Sequence, residues 1–195
     1  MKNNIVKTFV NDGSIMIVSV LLIVAACNQK AEDPKDTAED HNEAKFDDNK
    51  AEKDAQFLVE AATIDLKEIQ LGELAVMNAS SQDVKDLGKM MQDAHTKNLN
   101  DLQSLAANKS ITIPASLTED GQDDYKKLSE KKGTDFDKEF CDMMVNGHKD
   151  AVDKFEKAST DCEDADIKGW AASTLPVLRT HLDHAMTCQD KVKKM

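Results

Sequence analysis

The sequence has few of the residues on which several protein classes depend. Aromatic residues make up 4% of its 195 residues and there are three prolines, a composition that favours helices over a β-rich fold. There is no basic stripe with interleaved aromatic residues, and the formal net charge of -12 repels phosphate backbones, which argues against nucleic-acid binding. A glycine-rich phosphate loop is also missing. No Glu-x-x-His pair occurs, which argues against a di-iron site of the ferritin type.

Long hydrophobic runs are scarce as well. The run over residues 15–26 is too short to cross a bilayer, which takes about 20 residues. With Lys2 and Lys7 ahead of it, the run is typical of a signal peptide. It ends in Val-Ala-Ala-Cys27, which resembles the bacterial lipoprotein box and implies cleavage after residue 26 and a lipid on Cys27. An uncleaved anchor with an ordinary cysteine is the alternative.

These features predict where the protein resides. We expect a lipoprotein signal peptide over residues 1–26 and a mature protein held at the bacterial cell envelope by its acyl chains. The residue after the cysteine is Asn28 rather than aspartate, which favours the outer membrane, with the chain facing the periplasm or the surface. The membrane is therefore one expected partner, through the lipid anchor.

The segment after the cysteine is strongly charged. Residues 28–54 hold ten acidic residues, five lysines and a single aromatic residue, Phe46. So little apolar surface cannot offset the conformational entropy of the chain. We therefore expect residues 27–54 to be the lipidated cysteine followed by a disordered acidic tether.

Residues 55–195 carry the apolar spacing of four long amphipathic helices. The first two are predicted over about residues 54–79 and 83–108, and the last two from an N-cap at Thr134 and over about 165–192. Short connections within each pair predict antiparallel neighbours. Residues 109–133 contain Pro114 and a short predicted helix, and they are long enough to cross the length of a bundle. The sequence thus predicts an all-α fold, a four-helix bundle with one long crossover between helices two and three.

Each predicted long helix carries one polar residue near the middle of its apolar face. These residues are Glu68, His95, His148 and His181, which would lie roughly level in a bundle, with Asp65 one turn from Glu68. Three imidazoles and a carboxylate can hold zinc or another divalent transition metal. The sequence itself favours a buried polar network that is satisfied without metal and fixes helix register. Scattered, partly exposed histidines are a third interpretation.

A set of motifs over about residues 55–190 resembles the DUF4142 family. The motifs are Phe57-x3-Ala61-Ala62, Glu68-x3-Gly72, Val84-Lys85, Asp93-x-His95, Gly133-x2-Phe136-Asp137, His148 and Leu175-Pro176-x-Leu178-x2-His181-Leu182. The last of these is the most specific. The resemblance implies an exported bacterial protein with a ferritin-like four-helix fold and no established activity. One departure is that the family usually has Asp and His in direct sequence, whereas Ala94 separates Asp93 from His95 here.

Three cysteines remain after Cys27. In an oxidising compartment an odd number leaves at least one thiol unpaired or used between molecules. Antiparallel third and fourth helices bring Cys141 and Cys188 within about two turns of each other, so this pair is predicted as the disulfide and Cys162 as the remaining thiol. A nucleophilic-cysteine enzyme is not indicated, because no Cys–His pair has supporting loop chemistry.

The sequence therefore favours a structural or binding module over an enzyme. The alternative is a metal-binding protein that uses the mid-bundle cluster. No protein partner or small ligand is indicated by any motif.

Overall fold

The structure is a computed structural model, and six α-helices make up most of the residues that it describes. These are residues 32–195, and residues 1–31, with the predicted signal peptide and Cys27, lie outside the described residues. The helices are α1 (Pro34–Glu43), α2 (Asn49–Asn78), α3 (Gln82–Lys109), α4 (Glu119–Ser129), α5 (Gly133–Asp161) and α6 (Ala165–Val192). No strand occurs in residues 32–195, so the predicted all-α class is confirmed. In the same range, no helix has both the length and the apolar character needed to cross a membrane.

The four long helices pack around two apolar clusters that follow each other along the helix axes. Cluster A includes Leu58, Ala62, Leu102, Phe155 and Ile167, and cluster B includes Leu71, Val84, Phe140, Met144 and Ala185. Helices α2 and α6 therefore run from cluster A to cluster B, and α3 and α5 run in the opposite direction. Because α3 ends in cluster A and α5 begins in cluster B, residues 110–132 carry the chain from one end of the helices to the other.

Two buried aspartates hold the two helical hairpins, α2–α3 and α5–α6, together. Each aspartate lies on a helix of one hairpin and accepts hydrogen bonds from the turn of the other. Asp137 of α5 accepts hydrogen bonds from the backbone N–H groups of Ser80 and Ser81, both at 2.9 Å, in the turn between α2 and α3. Asp54 of α2 accepts in the same way from Glu163 and Asp164 in the turn between α5 and α6. Backbone donors with no helical partner are thus satisfied by charged acceptors, which fixes the register of one hairpin against the other.

Part of the segment predicted as a disordered tether is helical. Helix α1 begins at Pro34, where the Asp33 side chain accepts from the Lys35 N–H, and α2 begins at Asn49 rather than near residue 54. The Asn42 side chain donates to the carbonyl of Thr112 and accepts from its N–H, both at 2.8 Å. The composition argument missed this helix because polar contacts to the crossover, rather than a large apolar face, hold it in place.

The start of α5 also differs from the prediction. The helix begins at Gly133, and its N-cap is Lys132, which makes no side-chain capping bond, rather than Thr134. Gly133 has a φ of 57°, a left-handed conformation that costs glycine little and other residues more. The turn into α5 therefore depends on backbone conformation, not on a hydroxyl cap.

Candidate metal centre

A layer of polar side chains separates cluster A from cluster B. Each long helix contributes one residue of the predicted set to the layer, at the point where the helix passes from one cluster to the other. Each of these residues has a member of one cluster before it and a member of the other after it: Glu68 lies between Ala62 and Leu71, His95 between Met91 and Leu99, His148 between Val145 and Ala151, and His181 between Leu178 and Ala185. All four side chains are buried, with at most 4% of their surface exposed. The layer therefore lies inside the protein, away from bulk water.

The three histidines converge on one point. His148 Nε2 lies 3.4 Å from His95 Nε2 and 3.4 Å from His181 Nδ1. One ring nitrogen from each histidine lies within 4.8 Å of the other two. The structure thus brings together the three histidines that the sequence placed at helix midpoints.

The outer nitrogens of two rings are fixed by acceptors. His95 Nδ1 lies 2.7 Å from Asp65 Oδ1, and His148 Nδ1 lies 2.9 Å from the carbonyl oxygen of Met144. A carbonyl or an ionised carboxylate only accepts, so both Nδ1 atoms carry the hydrogen. In the neutral rings, both Nε2 atoms then present lone pairs to each other, and two acceptors at 3.4 Å need a proton or a cation between them.

Glu68 adds an unsatisfied acceptor to the same layer. Its Oε2 atom is the one buried side-chain nitrogen or oxygen in residues 32–195 that has no hydrogen-bond partner. Its other oxygen, Oε1, faces Gly147, where an added Cβ would approach it to 3.1 Å. An unpaired buried acceptor costs about 1–3 kcal/mol, and a charged one costs more. A hydrogen-bond donor or a cation next to this oxygen would remove that cost.

The protonation equilibria of the three rings differ. Burial alone would lower the pKa of His95, but the hydrogen bond to Asp65 and the charges of Glu68 and Asp65 outweigh it, and the net shift is upward. Burial lowers the pKa of His148, and it lowers that of His181 to about 3, with the neighbouring rings adding to the effect. Burial thus disfavours protonation of His148 and His181, whereas the acidic neighbours of His95 favour protonation of its ring.

Further polar residues support Asp65. Burial raises the pKa of its carboxyl group, and the hydrogen bonds from His95 and Asn98 oppose that shift. Asn98 Nδ2 lies 3.1 and 2.9 Å from the two carboxylate oxygens. Thr174 Oγ1 lies 3.5 Å from Asn98 Oδ1, and its hydroxyl donates to the Trp170 carbonyl at 3.0 Å. Asn98 and Thr174 were not singled out in the sequence, although Asn98 lies three residues after His95, the helical spacing of a neighbour.

The motif departure at His95 has a structural explanation. Asp93 is exposed and pairs with Lys89 at 2.8 Å on the outer surface of α3. The carboxylate partner of His95 is Asp65, which comes from α2. A direct neighbour in sequence could not take this role, because side chains at adjacent helical positions do not face each other.

Comparison with known proteins gives a family match. The family model described as Domain of unknown function (DUF4142) matches residues 38–188. The chain belongs to the DUF4142 family. Neither the curated proteins nor the solved structures contain a match. The matched region of this DUF4142 chain begins inside α1 and contains every residue of the polar layer.

The layer passes a direct test for a transition metal. In a tetrahedral centre with metal–nitrogen distances of about 2.0–2.1 Å, neighbouring ligands are about 3.3–3.4 Å apart. The two measured nitrogen separations of 3.4 Å agree with that edge. A divalent cation with three neutral imidazoles would also balance the charges of Asp65 and Glu68. The three histidine donors and two of their three separations therefore fit a metal, and Glu68 lies outside the group.

The cysteines lie away from this layer. Cys141, Cys162 and Cys188 are free thiols and all three are buried. The Sγ atoms of Cys141 and Cys188 are 3.1 Å apart, whereas Cys162 follows the last residue of α5 at the other end of that helix. Burial and the nearby Asp54 carboxylate raise the pKa of the Cys162 thiol to about 12, so this thiol is poorly nucleophilic.

Proposed function

We propose that this DUF4142 protein is a lipid-anchored protein of the bacterial cell envelope that binds one divalent transition-metal ion, such as zinc, in the polar layer. The observation that carries the proposal is the convergence of three ring nitrogens, all within 4.8 Å of one another and two pairs at 3.4 Å. Two of these nitrogens have lone pairs directed inward by fixed outer hydrogen bonds. Metal-ligating histidines commonly have such an arrangement, with the second ring nitrogen bonded to a carboxylate or a backbone carbonyl.

The proposed ligands are His95, His148 and His181, and Glu68 is a carboxylate of the same layer that lies outside the group of ring nitrogens within 4.8 Å of one another. Asp65 orients His95 and raises the basicity of its ring, while Met144 does the same for His148 through its carbonyl. A bound divalent ion would supply positive charge and Lewis acidity to the layer. Because no Glu-x-x-His pair is present, the donor set suits one ion rather than a di-iron pair.

The proposed architecture is a ferritin-like four-helix bundle. Support comes from the opposite directions within the α2–α3 and α5–α6 pairs and from the connection of residues 110–132 that runs the length of the helices. A ferritin-like bundle has one long crossover of this kind. Sites in such bundles are built from side chains that project inward from facing helices, as the polar layer does.

A metal-free polar core is the competing function class. In that state His95 would donate its second proton to His148 Nε2, which agrees with the raised pKa of His95. That state leaves Glu68 Oε2 without a partner, and it places one proton where three nitrogens compete. A bound cation accounts for the competing nitrogens and places positive charge in the same layer as the Glu68 carboxylate, and for that reason we prefer the metal-bound interpretation.

Elemental analysis of the full chain, purified from membranes without a histidine tag or added metal, tests the proposal. We expect about one metal ion per chain in the wild type and a loss of that metal in His181→Gln. The matched control is His184→Gln, which changes an exposed histidine one turn further along α6 and is expected to retain the metal. A folded wild type that contains no metal and takes up none from buffer would refute the proposal.

The anchor has a separate test, because Cys27 lies outside the described residues. Cells are grown with an alkyne-labelled fatty acid, and the labelled protein is detected after Cys27→Ala and after the control Cys162→Ala. We expect the label in the wild type and the control and none in Cys27→Ala. Equal labelling of all three proteins, or none in the wild type, would contradict lipidation at Cys27.

A further inference from the structure

Two buried thiols lie in contact between α5 and α6. Cys141 is fully buried and Cys188 is 4% exposed, and their Sγ atoms are 3.1 Å apart. A disulfide bond is about 2.05 Å long, so an approach of about 1 Å would bring the sulfurs to bonding distance. Rotation about the Cα–Cβ bond is the side-chain motion that moves a cysteine sulfur.

The thiol pair has a fixed relation to the polar layer. Cys141 precedes His148 by seven residues on α5, since 148 − 141 = 7, and Cys188 follows His181 by seven on α6, since 188 − 181 = 7. Seven residues are two helical turns, or about 10.5 Å. Because α5 and α6 are antiparallel, a bond between the sulfurs would lie about two turns from the histidine pair and would join the same two helices.

No other described thiol competes for this pairing. Cys162 lies 21 residues after Cys141 along the chain, since 162 − 141 = 21, which corresponds to about 31 Å of helix. It packs in cluster A, whereas the pair packs in cluster B. The geometry therefore gives Cys141 one partner.

We propose that Cys141 and Cys188 form a disulfide when the exported chain meets an oxidising thiol–disulfide partner, and that this bond holds His148 and His181 in their metal-binding arrangement. The second part rests on the metal site proposed above, and the first part rests only on export. A cross-link that restricts α5 against α6 lowers the ordering cost of binding at the polar layer, which is preorganisation.

The chemistry is an ordinary exchange that balances in two steps. Cys188 is the more exposed of the two thiols, and the hydrogen bond that it accepts from Cys141 favours its thiolate form, so Cys188 is the attacking nucleophile. It attacks one sulfur of the oxidant's disulfide, forming a mixed disulfide and releasing the first thiol of the oxidant. Cys141 then loses its proton and attacks the Cys188 sulfur, releasing the second thiol. Two protein thiols are oxidised by two electrons, and one disulfide of the partner is reduced to two thiols.

Peptide mapping of the full chain tests the bond without reference to metal. Trypsin places the three cysteines in separate peptides, Glu139–Lys149, Ala158–Lys168 and Thr180–Lys191. After export in cells and trapping with iodoacetamide, we expect the first and third peptides to be linked and the Cys162 peptide to be alkylated. Recovery of all three as alkylated single peptides, or a link to the Cys162 peptide, would overturn the disulfide.

Metal competition with a chromophoric chelator tests the coupling. Wild type treated with oxidised glutathione is compared with wild type reduced by a phosphine and with the double variant Cys141→Ala, Cys188→Ala. We expect the reduced wild type and the double variant to bind zinc at least about fivefold more weakly than the oxidised wild type. A factor of about five is the lower end of the usual coupling between sites. Equal affinity of the oxidised and reduced wild type would overturn the coupling. If no form binds zinc, the metal site itself fails, while the mapping result still decides the disulfide.

Discussion

Replacement of Asp65 by asparagine should weaken metal binding with less disturbance of the fold than replacement of a metal ligand. The asparagine side chain has the same shape, and its oxygen can accept the His95 Nδ1–H that Asp65 accepts at 2.7 Å. What is lost is the negative charge that makes the His95 ring a stronger donor to a metal, together with the second acceptor of the Asn98 amide, whose Nδ2 lies 2.9 Å from Asp65 Oδ2. Loss of such an outer partner typically weakens metal binding by about 10–100-fold.

The size of the effect follows from linkage. At a free metal concentration of about 100 times the wild-type Kd, binding stabilises the folded protein by about 2.7 kcal/mol. A Kd that is about 30-fold weaker reduces this to about 0.9 kcal/mol at the same concentration. For a domain of this size, each kcal/mol moves the melting temperature by about 2–4 °C, so Asp65→Asn is expected to lose about 4–7 °C of the metal-induced shift.

The assay is thermal unfolding with and without metal, in parallel for the wild type, Asp65→Asn and the control Asp93→Asn. Asp93 is exposed and pairs only with a surface lysine, so its variant removes the same charge without touching the layer. We expect the control to keep the full metal-induced shift. An Asp65→Asn protein with the wild-type shift would refute the role of Asp65, and identical melting with and without metal in the wild type would refute the site.

Three further predictions concern the apo protein, with chelator present. Because the pKa of His181 is lowered to about 3, the unfolded chain binds a proton that the folded chain does not, and stability is lost as pH falls below about 6.5. At pH 5 this residue contributes a loss of about 2 kcal/mol in urea unfolding. The loss should be smaller by about that amount in His181→Gln, where the lowered pKa of His148 still contributes, and it should be retained in His184→Gln. Gly72→Ala places a Cβ 2.6 Å from a carbonyl oxygen of α3 and should cost about 1–3 kcal/mol, whereas Gly169→Ala, with open space around it, should stabilise α6 by about 0.5–1 kcal/mol. Asn42→Ala removes the two hydrogen bonds between the Asn42 side chain and Thr112 of the crossover. The substitution should therefore increase the rate of amide hydrogen exchange more in α1 than in α2.

The composition and the spacing of apolar residues were sufficient to predict the long helices and the level of the polar layer. His95, His148 and His181 could be aligned because helical periodicity converts a position in the sequence into a height along a helix. The pairing of His95 with Asp65 was not predictable, since it depends on the rotation of α2 relative to α3, which spacing alone does not fix. The helix α1 was missed for a related reason, because its polar contacts with Thr112 of the crossover and Gln56 of α2 depend on how distant segments meet.

The aspartates that close the turns illustrate the same limit. Asp54 and Asp137 look like ordinary helix-start residues in the sequence, where an acidic side chain suits the helix dipole. In the structure each is buried and accepts hydrogen bonds from the turn of the other hairpin. The sequence indicates that an acidic residue is compatible with a helix start. It does not indicate which distant backbone N–H group will donate a hydrogen bond to that residue.

These two aspartates also bear on what the polar layer does for the fold. His95 belongs to the α2–α3 hairpin, and His148 and His181 belong to the α5–α6 hairpin, so any cation in the layer joins the two hairpins. The hairpins are already held together at both ends by Asp54 and Asp137 and along their length by clusters A and B. Removal of the metal should therefore lower the melting temperature while leaving the chain folded, unlike small metal domains that unfold without their ion. A site of this kind can exchange its ion without unfolding, and we expect chelator to leave the far-ultraviolet circular dichroism at 25 °C unchanged.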